Sequence, residues 1–351
     1  LLAFVKSKII YQEDKIAGAQ RWVPVLVALM ASVFSAYLCM KGLKRIWKPD
    51  PLMVTTIGFS IFIFTYAIMR PVIIKKSIGM ENRNKSIREL FHIPLIFAAG
   101  LLSFAHGAND VANAYATSVG SRALTIKQAA GLACIFETGG AILMGSHVAK
   151  TIRKGIANYE CFENDPGPLM YGCMCVCLSV FMWLFIASKY EMPVSTTHSC
   201  VGGMIGMTIA LKGVRCVNWY EETDRFPYVG GVSGIVLSWI ISPVFSAILA
   251  STLFTVIRTF ILRSPDGFNR TSYLFPVMIG GTVTLNTFFI IYKGAKGLGL
   301  DDTPLDVACY WSFGVGSVAA IIIIPFMGMI KTNAENRINS KMYLGRMFNV
   351  F

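Results

Sequence analysis

The residues best suited to chemistry lie in a short polar stretch, His106 to Ala114, inside an apolar run. Asn109 and Asn113 are four residues apart and would share one face of a helix, with Asp110 beside them. An ionised aspartate at the centre of a membrane helix costs at least about 2.5 kcal/mol, so it is rarely idle. Carboxylate and amide oxygens suit a hard cation such as Na⁺. We therefore predict a cation site at Asn109, Asp110 and Asn113, although hydrogen bonding between helices is the competing interpretation.

A second polar element follows Pro193 and contains three consecutive hydroxyl residues, Ser195, Thr196 and Thr197, before His198. Proline is favoured in the first turn of a helix, so we predict a helix that starts near Pro193 and carries these hydroxyls in its first turn. Hydroxyl donors, free backbone N–H groups and the positive end of the helix dipole would then converge. The pattern predicts an anion site without a cationic side chain. A helix cap at the membrane interface is the alternative.

A further acid, Glu137, also lies within an apolar run. A coupling role and pairing with a buried cation explain it equally well. His106 and Asp110 have the i,i+4 spacing of a metal pair, but no third ligand is apparent in the sequence. We therefore predict no bound cofactor and no metal other than Na⁺ at Asp110.

The nine cysteines show no zinc-binding spacing. Cys173, Cys175 and Cys177 alternate along the chain, so on a helix they point to different faces, and we predict that they are buried, inert thiols. Cys161 and Cys216 lie in polar loops and could pair outside the cell, which spacing alone does not establish.

The composition indicates that membrane helices hold these residues in place. Of the 351 residues, 54% are hydrophobic and only 15% are charged, and the mean hydropathy is +0.58. A soluble domain carries about 25% charged residues, so an ordinary soluble enzyme is excluded. The apolar runs are 22–40, 52–74, 93–105, 128–149, 169–187, 193–211, 229–257, 273–292 and 307–330. We predict an all-α polytopic membrane protein with about eight or nine membrane segments, some of them broken or re-entrant.

The net charge of +13 does not indicate nucleic-acid binding. The basic residues lie in short loops beside the apolar runs, for example Lys41, Lys44 and Arg45, where the positive-inside rule places them. The lipid bilayer is therefore the predicted partner of these cations, and no nucleic acid is expected.

An internal repeat joins two distant parts of the chain. Pro24 begins an apolar run that ends at Lys41-Gly42-Leu43-Lys44, and Pro276 begins one that ends at Lys293-Gly294-Ala295-Lys296. A second run follows each of them, after Pro51-Leu52 and after Pro304-Leu305. The offset of 252 residues between the two prolines is typical of a duplicated membrane domain. Because the chain begins with Leu1 and opens within a repeat unit, we expect a portion of a longer protein.

The motifs together resemble those of the inorganic phosphate transporter (PiT) family, over residues 93–335. The matching segments are Gly107–Ala114, Val119–Arg122, Leu124–Ala129, Ile135–Thr138, Thr151–Gly155, Pro193–His198 and Ser238–Pro243. The resemblance implies a plasma-membrane symporter of inorganic phosphate, driven by Na⁺ or H⁺ and built from inverted repeats. It implies cation binding by Asn109, Asp110 and Asn113. Phosphate ligands would be Ser195, Thr196, Thr197 and Asn113, and Glu137 would be a coupling acid.

The resemblance also suggests a division of the chain. Residues 1–90 resemble the family's central two-helix segment with a basic connector, and 91–262 form one transport repeat. A second two-helix segment at 263–335 and a basic tail or connector at 336–351 follow. The family carries each motif twice and this chain carries each once, so we expect a second repeat or a second protomer to complete the site.

Three other functions fit parts of the pattern. Hydroxyls and a helix N-terminus do not distinguish phosphate from sulfate or another tetrahedral oxyanion. A non-transporting partner subunit or remnant would also carry a single motif set. An intramembrane hydrolase would use Ser195, His198 and Asp110, but a G-x-S-x-G turn does not surround this serine, so we predict that the chain is not an enzyme.

Overall fold

A computed structural model describes residues 1–42, 47–80, 84–163, 167–223, 228–292, 303–333 and 335–336. The α-helices in these ranges are α1 (Leu2–Val5), α2 (Lys15–Tyr37), α3 (Pro51–Ser77), α4 (Asn84–His106), α5 (Ala112–Gly120), α6 (Ile126–Gly155), α7 (Gly167–Lys189), α8 (Thr196–Lys212), α9 (Gly231–Ile257), α10 (Gly267–Tyr292) and α11 (Leu305–Ile323). The two short strands β1 (Glu221–Glu222) and β2 (Val229–Gly230) pair antiparallel, with Glu221 opposite Gly230.

Eight helical segments among the described residues are long and apolar enough to cross a membrane. They are Lys15–Met40, Pro51–Ser77, Ile87–Gly120, Ile126–Gly145, Gly167–Lys189, Gly231–Leu262, Gly267–Tyr292 and Leu305–Asn333. The predicted all-α polytopic membrane fold is confirmed. The remaining apolar run, 193–211, forms α8, which has 17 residues. Its length of about 26 Å is shorter than a hydrocarbon core of about 30 Å.

Side-chain caps fix where several of these helices begin. Asp50 accepts a hydrogen bond from the backbone N–H of Met53 at 2.7 Å, and Pro51 occupies the first turn of α3. Thr125 and Gln128 form a reciprocal capping box at the start of α6. Each cap satisfies backbone N–H groups that the first turn leaves without an intrahelical acceptor.

The chain divides into two compact units. The first contains Leu1–Cys134 and Ile152–Ser233, and the second contains Ile135–Thr151 and Gly234–Phe351. These units follow packing in space, so the four-part division by repeats stays a prediction. Lys293–Lys296 of the repeat and residues 337–351 of the predicted tail lie outside the described residues.

The core of the first unit forms where α2, α4 and α7 pack together. Phe91 of α4 is completely buried, and its ring lies 4.6 Å from that of Tyr171 on α7, measured between centroids. Phe34 of α2 meets Phe104 of α4 edge to face at 5.0 Å. These aromatic contacts fix α4, the helix that leads to the first polar motif, against its neighbours.

Helices α7 and α8 approach closely because a glycine faces a branched side chain. A Cβ atom added to Gly203 on α8 would lie 2.9 Å from Cγ1 of Val176 on α7. Small residues at helix crossings let two backbones approach within the membrane. The absence of a side chain at Gly203 therefore sets the distance between the two helices.

A disulfide joins the loop before α7 to the loop after α8. Cys161 and Cys216 are bonded, with their Cα atoms 6.0 Å apart, which answers the question that their spacing left open. Beside the bond, the N–H of Asn158 donates to the carbonyl of Cys216, and the N–H of Asn218 donates to the carbonyl of Ile156, both at 2.9 Å. The disulfide and the two hydrogen bonds thus hold the two loops together.

In the second unit, α10 and α11 pack as a hairpin. A Cβ atom added to Gly316 on α11 would lie 2.7 Å from the carbonyl oxygen of Gly280 on α10. The two helices therefore touch through backbone, as is typical of small residues at membrane helix crossings.

The contact at Gly203 can be tested by adding one methyl group. We expect Gly203→Ala to lower the thermal unfolding midpoint of the detergent-solubilised protein, because the new Cβ would overlap Val176. Gly202→Ala is the matched control, since its Cβ would meet open space and alanine favours a helix over glycine by about 1 kcal/mol. Equal midpoints for the two variants would contradict this packing.

Candidate functional site

The first polar motif lies on a widened turn rather than on a regular α-helix. After α4 ends at His106, a π-helical turn at Gly107–Val111 leads into α5. Such turns occur within α-helices and are frequent at functional sites. The prediction that this motif follows α-helical spacing is therefore wrong for its first half, because a π turn bonds residue i to i+5 rather than i+4.

The carboxylate of Asp110 lies against an imidazole. Its Oδ2 atom is 2.7 Å from Nδ1 of His106, and the two side chains are 33% and 45% exposed. This close contact does not have hydrogen-bond geometry, so the Oδ2 atom is buried without a hydrogen-bond partner among the described residues. Within the described residues no group of three His, Cys, Asp or Glu side chains could hold a metal ion.

Asn109 connects the first polar motif to the second. Its Nδ2 atom donates a hydrogen bond of 2.6 Å to the carbonyl oxygen of Val194, the residue immediately before Ser195. The two motifs are 85 residues apart in the chain, and this bond brings them side by side. The structure thus places the amide of Asn109 next to the start of α8.

The second motif begins its helix later than predicted. The helix starts at Thr196, and Ser195 is its N-cap in extended conformation, so the predicted start near Pro193 is wrong. The reason is local, since Oγ of Ser195 accepts from the backbone N–H of His198 at 3.3 Å and caps the first turn. The same oxygen lies 2.6 Å from Nδ1 of His198.

Thr196 has the most unusual environment of the three hydroxyl residues. Its side chain is only 5% exposed, and its Oγ1 atom has no hydrogen-bond partner among the described residues. A buried hydroxyl without a partner costs about 1–3 kcal/mol. Such a group at a helix N-terminus could donate to an anion.

The remaining predicted residues are placed differently. Asn113 on α5 and Thr197 on α8 have exposed side chains, and Glu137 is an exposed residue of α6 in the second unit. The hydrogen bond from Asn109 to Val194 brings the Asn109 side chain beside the start of α8. The binding roles of all the predicted site residues stay predictions.

Sequence reasoning missed two contacts of this site. The bond from Asn109 to the Val194 carbonyl has no signal in the sequence, because a backbone acceptor exists at every residue. The contact between Ser195 and His198 could have been inferred, since a capping serine and the third helical residue are neighbours in a helix start.

The chain resembles known proteins over most of its length. Residues 1–114 and 107–350 each match the model of the phosphate transporter family, and the two matches share the motif at 107–114. Sodium-dependent phosphate transporter 1 of Mus musculus is 36% identical over 235 residues, which are 67% of this chain and 33% of that protein. Sodium-dependent phosphate transporter 2 of Felis catus is 38% identical over 62% of this chain and 32% of that protein.

The chain is also similar in fold and in sequence to a solved structure. It is described as the sodium-dependent phosphate transporter, and it aligns with a TM-score of 0.58 and 32% sequence identity. The alignment covers 68% of this chain and 56% of that one. The chain spans about a third of the length of the two mammalian relatives.

The bond between the two motifs can be tested without a transport assay. We expect Asn109→Ala to lower the thermal unfolding midpoint, because the carbonyl of Val194 would lose its donor at a cost of about 1–3 kcal/mol. Asn113→Ala, which removes an exposed amide, is the control and should leave the midpoint unchanged. If both variants unfold like the unsubstituted protein, Asn109 does not hold the motifs together.

Proposed function

The chain belongs to the phosphate transporter family, and on that premise we propose that it carries inorganic phosphate across the plasma membrane together with Na⁺. The eight apolar helical segments among its described residues make it a multi-pass membrane protein. The relatives are named as sodium-dependent phosphate transporters, which supports phosphate as the solute and Na⁺ as the driving ion. Those names describe transporters, which agrees with a role that is not enzymatic.

The observation that carries this proposal is the unpartnered hydroxyl of Thr196 at the N-terminus of α8. Backbone N–H groups of a first helical turn have no intrahelical acceptor and favour anions. Thr196 adds a side-chain donor that is already desolvated, since its side chain is buried. A phosphate oxygen would satisfy this hydroxyl, with Ser195, Thr197 and Asn113 as further ligands.

Coupling to Na⁺ follows from the charge of Asp110. An ionised carboxylate repels a phosphate dianion, and two unit charges 4 Å apart interact by about 4 kcal/mol at an effective dielectric constant near 20. A Na⁺ ion bound by Asp110 and the side-chain oxygen of Asn109 would cancel this repulsion. The bond from Asn109 to Val194 supports such an arrangement, because it brings one proposed cation ligand beside the start of α8.

The transport cycle that we propose is alternating access. Loaded and empty states can reorient, whereas a state with only one of the two ions leaves a buried charge unpaired and is penalised. Glu137 is the candidate for a further coupling acid. A second repeat or a second protomer completes the site in this proposal, since the chain carries one copy of each polar motif.

Removing the Thr196 hydroxyl should weaken phosphate binding. We expect Thr196→Val to raise the apparent KM for phosphate about tenfold, because a hydrogen bond to a charged group contributes about 1.5 kcal/mol. Thermal stability should not fall, since the lost hydroxyl has no protein partner. The measurement is uptake of radiolabelled phosphate into proteoliposomes.

The matched control for this experiment is Thr208→Val on the same helix. Thr208 is also buried, but its hydroxyl donates to the carbonyl of Met204 at 2.8 Å, so its loss should leave the KM unchanged. An unchanged KM in Thr196→Val would remove this hydroxyl from the phosphate site.

Neutralising Asp110 should separate phosphate movement from the Na⁺ gradient. We expect Asp110→Asn to abolish Na⁺-stimulated uptake while the protein still reaches the membrane, because the amide cannot offset the charge of Na⁺. The control is Asp266→Asn, which changes an exposed carboxylate that accepts from Asn269. Uptake by Asp110→Asn with the original Na⁺ dependence would contradict the assignment.

A further inference from the structure

A cavity of about 400 Å³ lies in the first unit, where the ends of α2, α3 and α7 meet. Its lining includes Cys39, Trp47, Lys48, Val54, Phe185 and Lys189. None of the residues assigned above to cation or phosphate binding lines it. The volume is within the range of small-molecule binding pockets, about 300–1,000 Å³.

The inner part of the cavity is apolar and formed by well-packed residues. Cys39 and Val54 are each 6% exposed, and the ring of Phe185 packs against that of Tyr37 with centroids 5.0 Å apart. The surface that these side chains present suits a hydrocarbon chain rather than an ion.

Two lysines contribute to the lining of this apolar space. They are Lys48 and Lys189, and the lining that the described residues provide contains no aspartate or glutamate. The Nζ atom of Lys189 lies 5.6 Å from the centroid of the Tyr190 ring. Within the described ranges of the chain, neither lysine forms an ion pair with a carboxylate. The nearby acid Asp50 uses its carboxylate to cap α3. The described lining therefore carries two positive charges that no carboxylate in it balances.

The cavity lies at the level of the membrane surface. Three membrane-crossing segments end beside it, at Met40, Pro51 and Lys189. Lysine and tryptophan are favoured at this level, where the headgroups of lipids lie. Basic pockets between membrane helices bind anionic headgroups.

We propose that this cavity binds one anionic phospholipid, with its phosphodiester between Lys48 and Lys189 and one acyl chain against Val54 and Phe185. The apolar lining accounts for the chain, and the two cations account for the headgroup. A zwitterionic lipid would gain the same acyl contacts but less from the lysines.

The test is native mass spectrometry of the purified 351-residue chain, titrated with phosphatidylglycerol or with phosphatidylcholine. We expect the first phosphatidylglycerol to bind about 30-fold more tightly than the first phosphatidylcholine, the factor expected for two lysines near an anionic headgroup. The double variant Lys48→Gln/Lys189→Gln should lose this preference. The control Lys75→Gln/Lys127→Gln removes two exposed lysines that do not line the cavity, and it should keep the preference.

Two further arms separate the lipid from other occupants. Val54→Phe, which keeps both lysines and reduces the apolar space, should weaken binding of both lipids, with folding checked by thermal unfolding. Inorganic phosphate should not displace phosphatidylglycerol; displacement at millimolar phosphate would assign the lysines to free phosphate and overturn the proposal. Unchanged lipid preference in the Lys48→Gln/Lys189→Gln variant would overturn it as well. Because no uptake is measured, the outcome is independent of the proposed transport.

Discussion

The hydrogen bond from Asn109 to the carbonyl of Val194 is the contact on which the site depends. A membrane helix satisfies its backbone internally, but the extended residues before α8 cannot do so. A side chain from another helix has to supply the missing donor. Asn109 provides it, and in doing so it places the π turn at Gly107–Val111 beside the start of α8. The need of the Val194 carbonyl for a hydrogen-bond donor thus brings the two polar motifs together.

The environment of Thr196 contrasts with this satisfied carbonyl. Buried polar atoms are nearly always hydrogen-bonded, because each exception costs stability. Thr208, which is also buried, follows that rule by donating to Met204, whereas the Oγ1 atom of Thr196 does not. The hydroxyl of Thr208 is therefore occupied by a backbone carbonyl, whereas the hydroxyl of Thr196 is available to a ligand.

Much of the fold could be predicted from the sequence, because long apolar runs leave little choice other than membrane helices. The finer geometry of the site could not. The predicted face shared by Asn109 and Asn113 assumed a regular α-helix, and the π turn between α4 and α5 removes that assumption. The predicted start of α8 gave weight to Pro193, but the cap formed by Ser195 sets the boundary three residues later. The first error comes from the backbone bonding of the π turn and the second from a side-chain cap, neither of which hydropathy encodes.

The disulfide between Cys161 and Cys216 has a consequence for movement. One of the two cysteines precedes α7 and the other follows α8, so the bond closes both helices into a covalent ring of backbone. The hairpin cannot splay at that end, and the tight crossing at Gly203 restrains it further along. In the proposed transport cycle, a conformational change that exposes Thr196 to each side of the membrane in turn would therefore move α7 and α8 together.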